Sequence, residues 1–318
     1  MSAVVVAGAS GFVGRHVVER LLREGADVRC GTRDPGAAAG RRPDLRWVRF
    51  DVDADDLGES LVGADALVYL VHHMQHQHGA ELMTLEAAAA KRVVAACERA
   101  GVRRIVYLGG PVPGGEPSPH LRSRLHTGDL LRSGRVSTIE LRAAMIVGAG
   151  SESWTLVRDL ALRLPIMVLP SWLRTLSSPI DVADVADAIA AAVADPRTDS
   201  AAFDLPGPEV LTARAILERV AAEVGIKPVM IPVPVLTPKL SAHWLRLVCR
   251  GDHAIARQLV DGLTSDLVPQ SPGYWAHMGG RKPTPLGATI RKALADDVIE
   301  SPRGRMLESF VRRVARRA

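Results

Sequence analysis

The chain has 318 residues, of which 47% are hydrophobic and 24% are charged, so it can bury a core as one large domain or as a domain with a small companion. No apolar run approaches the roughly 18 residues of a membrane span, and the N-terminus enters a strand-like run without a basic region and cleavage site, so we expect a cytoplasmic protein with no membrane partner. The net charge is +5, but only 4% of residues are aromatic and the Lys and Arg residues are scattered. This composition favours an enzyme with an anionic cofactor over a nucleic-acid binder.

In the first half of the chain, apolar strand-like runs alternate with stretches of helical periodicity. This alternation predicts an α/β fold of the doubly wound Rossmann type, with a parallel sheet covered by helices on both faces. The predicted strands are 3–7, 27–31, 46–50, 66–70, 104–108 and 137–141, and the predicted helices between them are 11–23, 56–61, 81–100 and 119–133.

Beyond residue 150 the order is less regular. We predict helices at 180–194 and 211–224, an extended run with four prolines at 226–240, and a basic amphipathic helix at 306–318 with a solvated face. The chain is therefore divided into a dinucleotide-binding Rossmann domain, residues 1–150, and a smaller substrate-binding part, residues 151–318, that is interleaved with the sheet. We expect a monomer or a homodimer.

A glycine-rich turn follows the first predicted strand and opens the first helix. This arrangement aims the helix N-terminus and its free N–H groups at a diphosphate, while glycine lets the cofactor approach the backbone closely. Ser10 either hydrogen-bonds a cofactor phosphate or caps the first helix. The predicted cofactor contacts in this turn are Gly8, Ser10, Gly11, Phe12, Val13 and Gly14.

The second predicted strand leads into Thr32 and Arg33, where NAD-binding domains place an acidic residue for the adenine ribose. A guanidinium at this point can pair with a 2′-phosphate through two hydrogen bonds, which favours NADP(H) over NAD. Asp34 comes one place later and can still contact the ribose. After the third strand, Asp51 and Val52 either contact the adenine amino group or only start a loop or cap a helix.

Histidines crowd the segment after the fourth predicted strand, at the carboxyl edge of the sheet where ligands bind in such folds. They are His72, His73, His76 and His78. No nearby Cys or carboxylate completes a recognisable metal-ligand spacing, and adjacent histidines on an extended segment point apart. We therefore predict no metal and assign His72 and His73 to the polar lining of a substrate or nicotinamide pocket.

With these residues in place, the chain resembles the short-chain dehydrogenase/reductase superfamily over about its first 210 residues. The likeness is to the atypical and extended branches, including NmrA-like proteins. It is carried by the glycine pattern, by the 32–35 segment Thr-Arg-Asp-Pro, by the 118–124 segment Ser-Pro-His-Leu-Arg-Ser-Arg, and by the 179–186 segment Pro-Ile-Asp-Val-Ala-Asp-Val-Ala.

The catalytic residues that the resemblance implies are missing. Active members carry Tyr-x-x-x-Lys on the helix after the fifth strand and a Ser or Thr at the end of that strand. Here the pair aligns with His120 and Arg124, and the Ser position falls on Gly109-Gly110. A His120 imidazolium with a pKa near 6.5 can donate a proton at neutral pH, or the residue is only a capping or partly exposed one. Arg124 can hold the nicotinamide ribose but does not readily lose a proton.

The resulting hypothesis is an NADP(H)-dependent ketoreductase that acts on a small hydrophobic carbonyl compound, such as an aromatic polyketide in antibiotic biosynthesis. In this respect the chain is similar to polyketide-tailoring ketoreductases that lack the active-site Tyr, as in simocyclinone biosynthesis. The proton comes either from His120 or from a phenol beside the carbonyl of the substrate. The alternative that NmrA-like relatives imply is a non-catalytic NADP(H) sensor or assembly factor. A third hypothesis is quinone or epimerase chemistry, which shares the fold and would use the same cofactor site.

Overall fold

The computed structural model describes residues 2–54, 56–72, 80–164, 166–170, 174–233, 265–271, 273–297 and 309. His73, His76 and His78 lie outside this part of the chain, as does residue 234 onward of the predicted extended run. The predicted C-terminal helix also lies outside it, apart from Ser309.

In the first half, the residues that the structure describes form six strands and five helices. The strands are β1 (Ala3–Ala7), β2 (Asp27–Thr32), β3 (Arg46–Arg49), β4 (Ala66–Tyr69), β5 (Arg104–Gly109) and β6 (Ser137–Arg142), and the helices are α1 (Phe12–Arg23), α2 (Pro35–Arg41), α3 (Gly58–Leu61), α4 (Ala80–Ala100) and α5 (Pro119–Ser133). All six predicted strands are confirmed to within a residue or so at each end. The short helix α2 was not predicted.

The described residues of the second half form seven further strands and four further α-helices. The strands are β7 (Ile146–Val147), β8 (Ile166–Pro170), β9 (Leu176–Ser177), β10 (Ile180–Asp181), β11 (Ala201–Asp204), β12 (Leu211–Thr212) and β13 (Val229–Val233), and the α-helices are α6 (Glu152–Arg163), α7 (Val182–Ala194), α8 (Ala213–Glu223) and α9 (Leu286–Asp296). A 3₁₀ helix spans Tyr274–Met278.

Seven parallel strands form the main sheet in the order β11-β6-β5-β4-β1-β2-β3. The order reverses between β1 and β4, and ligands of such sheets bind in the crevice at the carboxyl ends of the strands beside this point. This topology confirms the predicted Rossmann fold class. It also places the glycine turn after β1 and His72 after β4 next to the crevice.

Alternate residues of the sheet are buried against different helical layers. Val4 and Val6 of β1 pack in the core formed with α1 and α7, whereas Val5 packs in the core formed with α3, α4 and α5. Because both faces are covered, β1 is apolar at every central position. A third core joins α6, α8 and α9 and includes Trp154, Leu217 and Ile290.

Three helix starts differ from the prediction, and at two of them a polar side chain caps the helix. Asp181 accepts a hydrogen bond from the Ala183 N–H, so the predicted helix 180–194 begins at Val182 and is preceded by β10. Thr212 accepts one from Ala215, which shortens the predicted helix 211–224. The predicted helix 56–61 starts only at Gly58, whose N–H donates to Asp56.

The C-terminal half returns to the sheet, which is what an interleaved arrangement requires. Strand β11 pairs with β6 at the edge, and α7 packs against α1. The division at residue 150 stays a prediction. None of the helices in the described ranges is long and apolar enough to cross a membrane.

Candidate functional site

The glycine turn after β1 has the geometry of a cradle for a diphosphate. Gly8 has φ +82°, which favours glycine, and a Cβ there would lie 3.3 Å from the Leu70 carbonyl. A Cβ on Gly14 would overlap the Gly8 carbonyl oxygen and lie 2.8 Å from the Ala9 Cα. The glycines therefore let α1 pack directly on the turn, as a dinucleotide site requires.

The N-terminus of α1 has no side-chain cap. Its N-cap is Gly11, and Ser10 is exposed and does not cap the helix, so the capping alternative for Ser10 is wrong. The first-turn N–H groups, including those of Phe12 and Val13, have no partner within the helix, which makes a helix N-terminus a binding site for anions. The turn therefore fits the diphosphate of a nicotinamide dinucleotide.

The tip of β2 presents Arg33 to solvent, beside half-buried Thr32. Asp34 is engaged elsewhere, because its Oδ1 accepts a hydrogen bond from the Ala37 N–H at 2.9 Å and caps α2. A guanidinium thus stands at the end of β2, and the neighbouring carboxylate has a structural partner.

Asp51 and Val52 follow β3 and lie in a turn. The Asp51 Oδ1 accepts a hydrogen bond from the Asp53 N–H at 3.2 Å, as the loop-start alternative predicts. Val52 is buried, and its carbonyl accepts a hydrogen bond from the Arg92 Nε at 2.8 Å. Contact of Asp51 with adenine stays a prediction.

A polar cluster lies at the carboxyl ends of β4 and β5 and consists of His72, Glu86, Tyr107, His120 and Arg124. The His72 Nδ1 lies 3.8 Å from the Glu86 Oε2, and these side chains are only 10% and 5% exposed. The His72 ring packs edge-on against Tyr107 at 5.7 Å between centroids. The structure therefore brings the predicted residues His72, His120 and Arg124 into one cluster with a buried carboxylate.

His120 is not the cap of its helix. The Ser118 Oγ accepts a hydrogen bond from the Leu121 N–H, and His120 is half-buried. Burial, with the nearby Arg124 charge and His72, lowers the pKa of His120 to about 3, although Glu86 acts in the opposite direction. This lowered pKa favours a neutral ring near pH 7 and argues against the imidazolium donor inferred from the ordinary pKa, so the role of His120 stays a prediction.

This shifted pKa predicts a pH dependence of stability. Below pH 6.5 the unfolded chain takes up a proton at His120, whereas the folded chain does not until about pH 3, so acidification favours unfolding. Between pH 7 and pH 5, the free energy of unfolding of the wild type should fall by about 2 kcal/mol more than that of His120→Gln, which lacks this proton uptake. Urea unfolding of both proteins at the two pH values measures this difference, and parallel losses would contradict it.

Arg124 is held by the end of β5. Its Nη2 donates a hydrogen bond to the Leu108 carbonyl at 2.8 Å, and its own carbonyl accepts one from the Tyr107 hydroxyl at 3.1 Å. The guanidinium therefore lies where the helix meets the carboxyl edge of the sheet. Its contact with a cofactor ribose stays a prediction.

Sequence reasoning missed two buried carboxylates, Glu86 on α4 and Glu140 on β6. The Glu140 carboxylate pairs with Arg132 and Arg142, with 3.0 Å to the Arg142 Nε. A Cβ on Gly109 would lie 2.5 Å from the Glu140 Oε1, which explains glycine at this end of β5. For Glu140, the available signal was a charged residue between the apolar Ile139 and Leu141 of a predicted strand.

Among the residues that the structure describes, no group of three or more His, Cys, Asp or Glu side chains is arranged to hold a metal ion. His72 belongs to the cluster at the end of β4, whereas His73 lies outside the described residues. Cys30 and Cys97 are buried free thiols, and burial raises their pKa values to about 11 and about 12.

The sequence pattern of a protein family described as NAD(P)H-binding matches residues 8–196, which include the glycine turn, the tip of β2 and the polar cluster. Two similar solved structures are of a triphenylmethane reductase of Citrobacter sp., with TM-scores of 0.74 and 0.71 and 19% identity. Each covers 92–93% of this chain and 100% of the other, and one is complexed with NADP(H). At this identity the likeness shows the fold.

Two curated proteins also match this chain by sequence. A dTDP-6-deoxy-L-talose 4-dehydrogenase (NAD(P)(+)) of Kitasatospora kifunensis is 26% identical over 266 residues, which cover 73% of this chain and 82% of the relative. A 3-beta-hydroxysteroid dehydrogenase of Mycolicibacterium neoaurum is 29% identical over 116 residues, 34% of this chain. The match spans only 31% of that second relative's length.

Proposed function

The chain belongs to the NAD(P)H-binding family, and we propose that it is an NADP(H)-dependent reductase of a hydrophobic carbonyl compound. The bound cofactor would supply the hydride. The glycine turn would hold its diphosphate, and the exposed Arg33 would pair with the 2′-phosphate.

One observation supports the proposal that the substrate supplies the proton: neither of the two predicted catalytic residues, His120 and Arg124, is a suitable acid near pH 7. His120 is neutral near pH 7, and the guanidinium of Arg124 does not lose its proton. Tyr107 is buried and donates its hydroxyl to the Arg124 carbonyl, and burial raises its pKa above the ordinary value. We therefore assign the proton to the substrate.

The proposed substrate is an aromatic ketone, such as a polyketide, with a phenol beside the carbonyl. Hydride adds to the carbonyl carbon, the π electron pair moves to oxygen, and the phenol proton transfers to that oxygen. The phenolate then takes a proton from water, which balances the step. Names of similar proteins support a hydrophobic ring system, since one acts on a hydroxysteroid and another on triphenylmethane dyes.

A matched pair of substrates tests this function. With NADPH, we expect an aromatic ketone that carries a hydroxyl beside the carbonyl to be reduced about a hundredfold faster than its methyl ether, because positioned proton donors contribute factors of this order. The rate is read as loss of the nicotinamide absorbance in single turnovers. His120→Phe should retain the wild-type rate.

Equal rates for the ketone and its ether, or loss of the rate in His120→Phe, would reject substrate-supplied protonation. A dTDP-sugar ketone in the same assay tests the chemistry in the name of the talose dehydrogenase relative: faster reduction of this sugar than of the aromatic ketone would contradict the proposed substrate class.

The neutral His120 and the Arg124 guanidinium held by Leu108 also favour a second candidate, a non-catalytic NADP(H) sensor. Tight NADPH binding, with no turnover of any ketone in the series, would select the sensor over the reductase.

A further inference from the structure

The guanidinium of Arg124 makes a hydrogen bond through its Nη2 but none through its Nε among the described residues. Its Nη2 donates to the Leu108 carbonyl at 2.8 Å. Its Nε is buried and has no hydrogen-bond acceptor among the residues that the structure describes. A buried donor without an acceptor is unfavourable, so this N–H is available to an acceptor atom of a ligand.

The unused N–H lies beside the end of β5. A Cβ added to Gly110 would be 3.7 Å from the Arg124 Nε, so a residue other than glycine would place its own side chain between this N–H and the end of the strand. Gly110 directly follows β5 at the carboxyl edge of the sheet, where substrates of this fold bind.

The surroundings direct a ligand atom to Gly110 rather than to Gly109. At Gly109 the Glu140 carboxylate fills the side-chain position, 2.5 Å from an added Cβ. At Gly110 the neighbouring atom is the Leu121 Cδ1, also 2.5 Å from an added Cβ. A leucine methyl group moves by rotation of its side chain, whereas Glu140 is tied to Arg132 and Arg142.

We infer that the Nε–H of Arg124 donates a hydrogen bond to the carbonyl oxygen of the substrate and stabilises the negative charge that develops there during hydride transfer. This inference rests on the proposed function. The guanidinium acts as a fixed donor and not as an acid, so the phenol of the substrate still supplies the proton. Removal of one such donor typically lowers the catalytic rate by about a hundredfold to a thousandfold.

Arg124→Lys tests the role of the Nε–H, because it keeps a cation on a long side chain but removes that donor. At saturating NADPH we expect the single-turnover hydride-transfer rate to fall about a hundredfold. The Kd for NADPH, measured by nicotinamide fluorescence, should stay within about twofold, since lysine holds the ribose in active members of the resembled superfamily.

Arg122→Lys is the matched control. Arg122 is exposed on the same helix and pairs with Glu116 at 3.1 Å, so its hydride-transfer rate should equal that of the wild type. If Arg124→Lys weakens NADPH binding but keeps the wild-type rate at saturation, Arg124 serves the ribose and the inference is overturned.

A nuclear magnetic resonance measurement on the wild type avoids dependence on the variant's folding. The Nε–H signal of Arg124, assigned from its loss in Arg124→Lys or Arg124→Met, should shift downfield when the ketone binds to the protein with NADP⁺. No shift at saturating ketone would overturn the inference. A wild type that reduces no ketone would overturn the proposed function instead, so the two failures are distinguishable.

Discussion

Arg33→Ala is expected to raise the KM for NADPH about tenfold to a hundredfold and to change the KM for NADH by less than about twofold. A hydrogen bond between charged groups contributes about 1.5–3 kcal/mol, which corresponds to this range. Arg33 is exposed at the tip of β2, so its removal leaves the core intact. NADH lacks the 2′-phosphate, so its binding should change little when the Arg33 side chain is removed.

Steady-state kinetics with both cofactors, at a fixed ketone concentration, measure this effect. Arg46→Ala is a suitable control because Arg46 is also exposed on the sheet but pairs with Asp27 at its opposite edge. An equal increase in both KM values for Arg33→Ala would reject the assignment of Arg33 to the 2′-phosphate. Raising the salt concentration should weaken NADPH binding more than NADH binding, since exposed charges are screened.

The sheet could be predicted from sequence because its signals are local. Val4, Val5 and Val6 form an uninterrupted apolar run, and Gly8 follows at once, so both the strand and the turn can be read from adjacent residues. The prediction of α5 over 119–133 agrees with the structure at both ends, since Pro119 follows the Ser118 cap and Gly134 ends the helix.

The second half was harder to predict because its strands depend on distant partners. Ile180 and Asp181 read as the start of an alanine-rich helix, yet they pair with Ile146 and Val147 as β10 and β7. A two-residue strand has no periodicity, so pairing across more than thirty residues leaves no local pattern. Helix α6 was also missed, although Ser151 caps it by accepting from the Trp154 N–H.

In the candidate site, too, features set by neighbouring residues in the sequence could be predicted, whereas features set by distant residues could not. The spacing of His120 and Arg124 predicted that they share a helix face, and both belong to the polar cluster. The protonation state of His120 could not be predicted, because it depends on burial and on Glu86 of α4 and His72 after β4, as well as on Arg124 of its own helix. Sequence gives the ordinary pKa, and packing decides the shift.

Glu140→Ala is expected to lower the free energy of unfolding by about 3–5 kcal/mol. Glu140 is fully buried in β6, and its carboxylate is paired with both Arg132 of α5 and Arg142. Removing one partner of a buried ion pair leaves uncompensated charge, and here two half-buried guanidinium groups would face an empty space. Urea unfolding of the wild type and variant at pH 7 measures the loss.

Two further variants separate the charge of Glu140 from its volume and position. Glu140→Gln keeps the volume against Gly109 and Gly128, so a loss close to that of Glu140→Ala would assign the stabilisation to charge. Glu218→Gln, which breaks an exposed pair with Arg214 on α8, should cost less than about 1 kcal/mol. If Glu140→Ala lowered the free energy of unfolding by no more than this control, the ion pairs of Glu140 with Arg132 and Arg142 would not be what holds α5 against the sheet. Helix α5 carries His120 and Arg124.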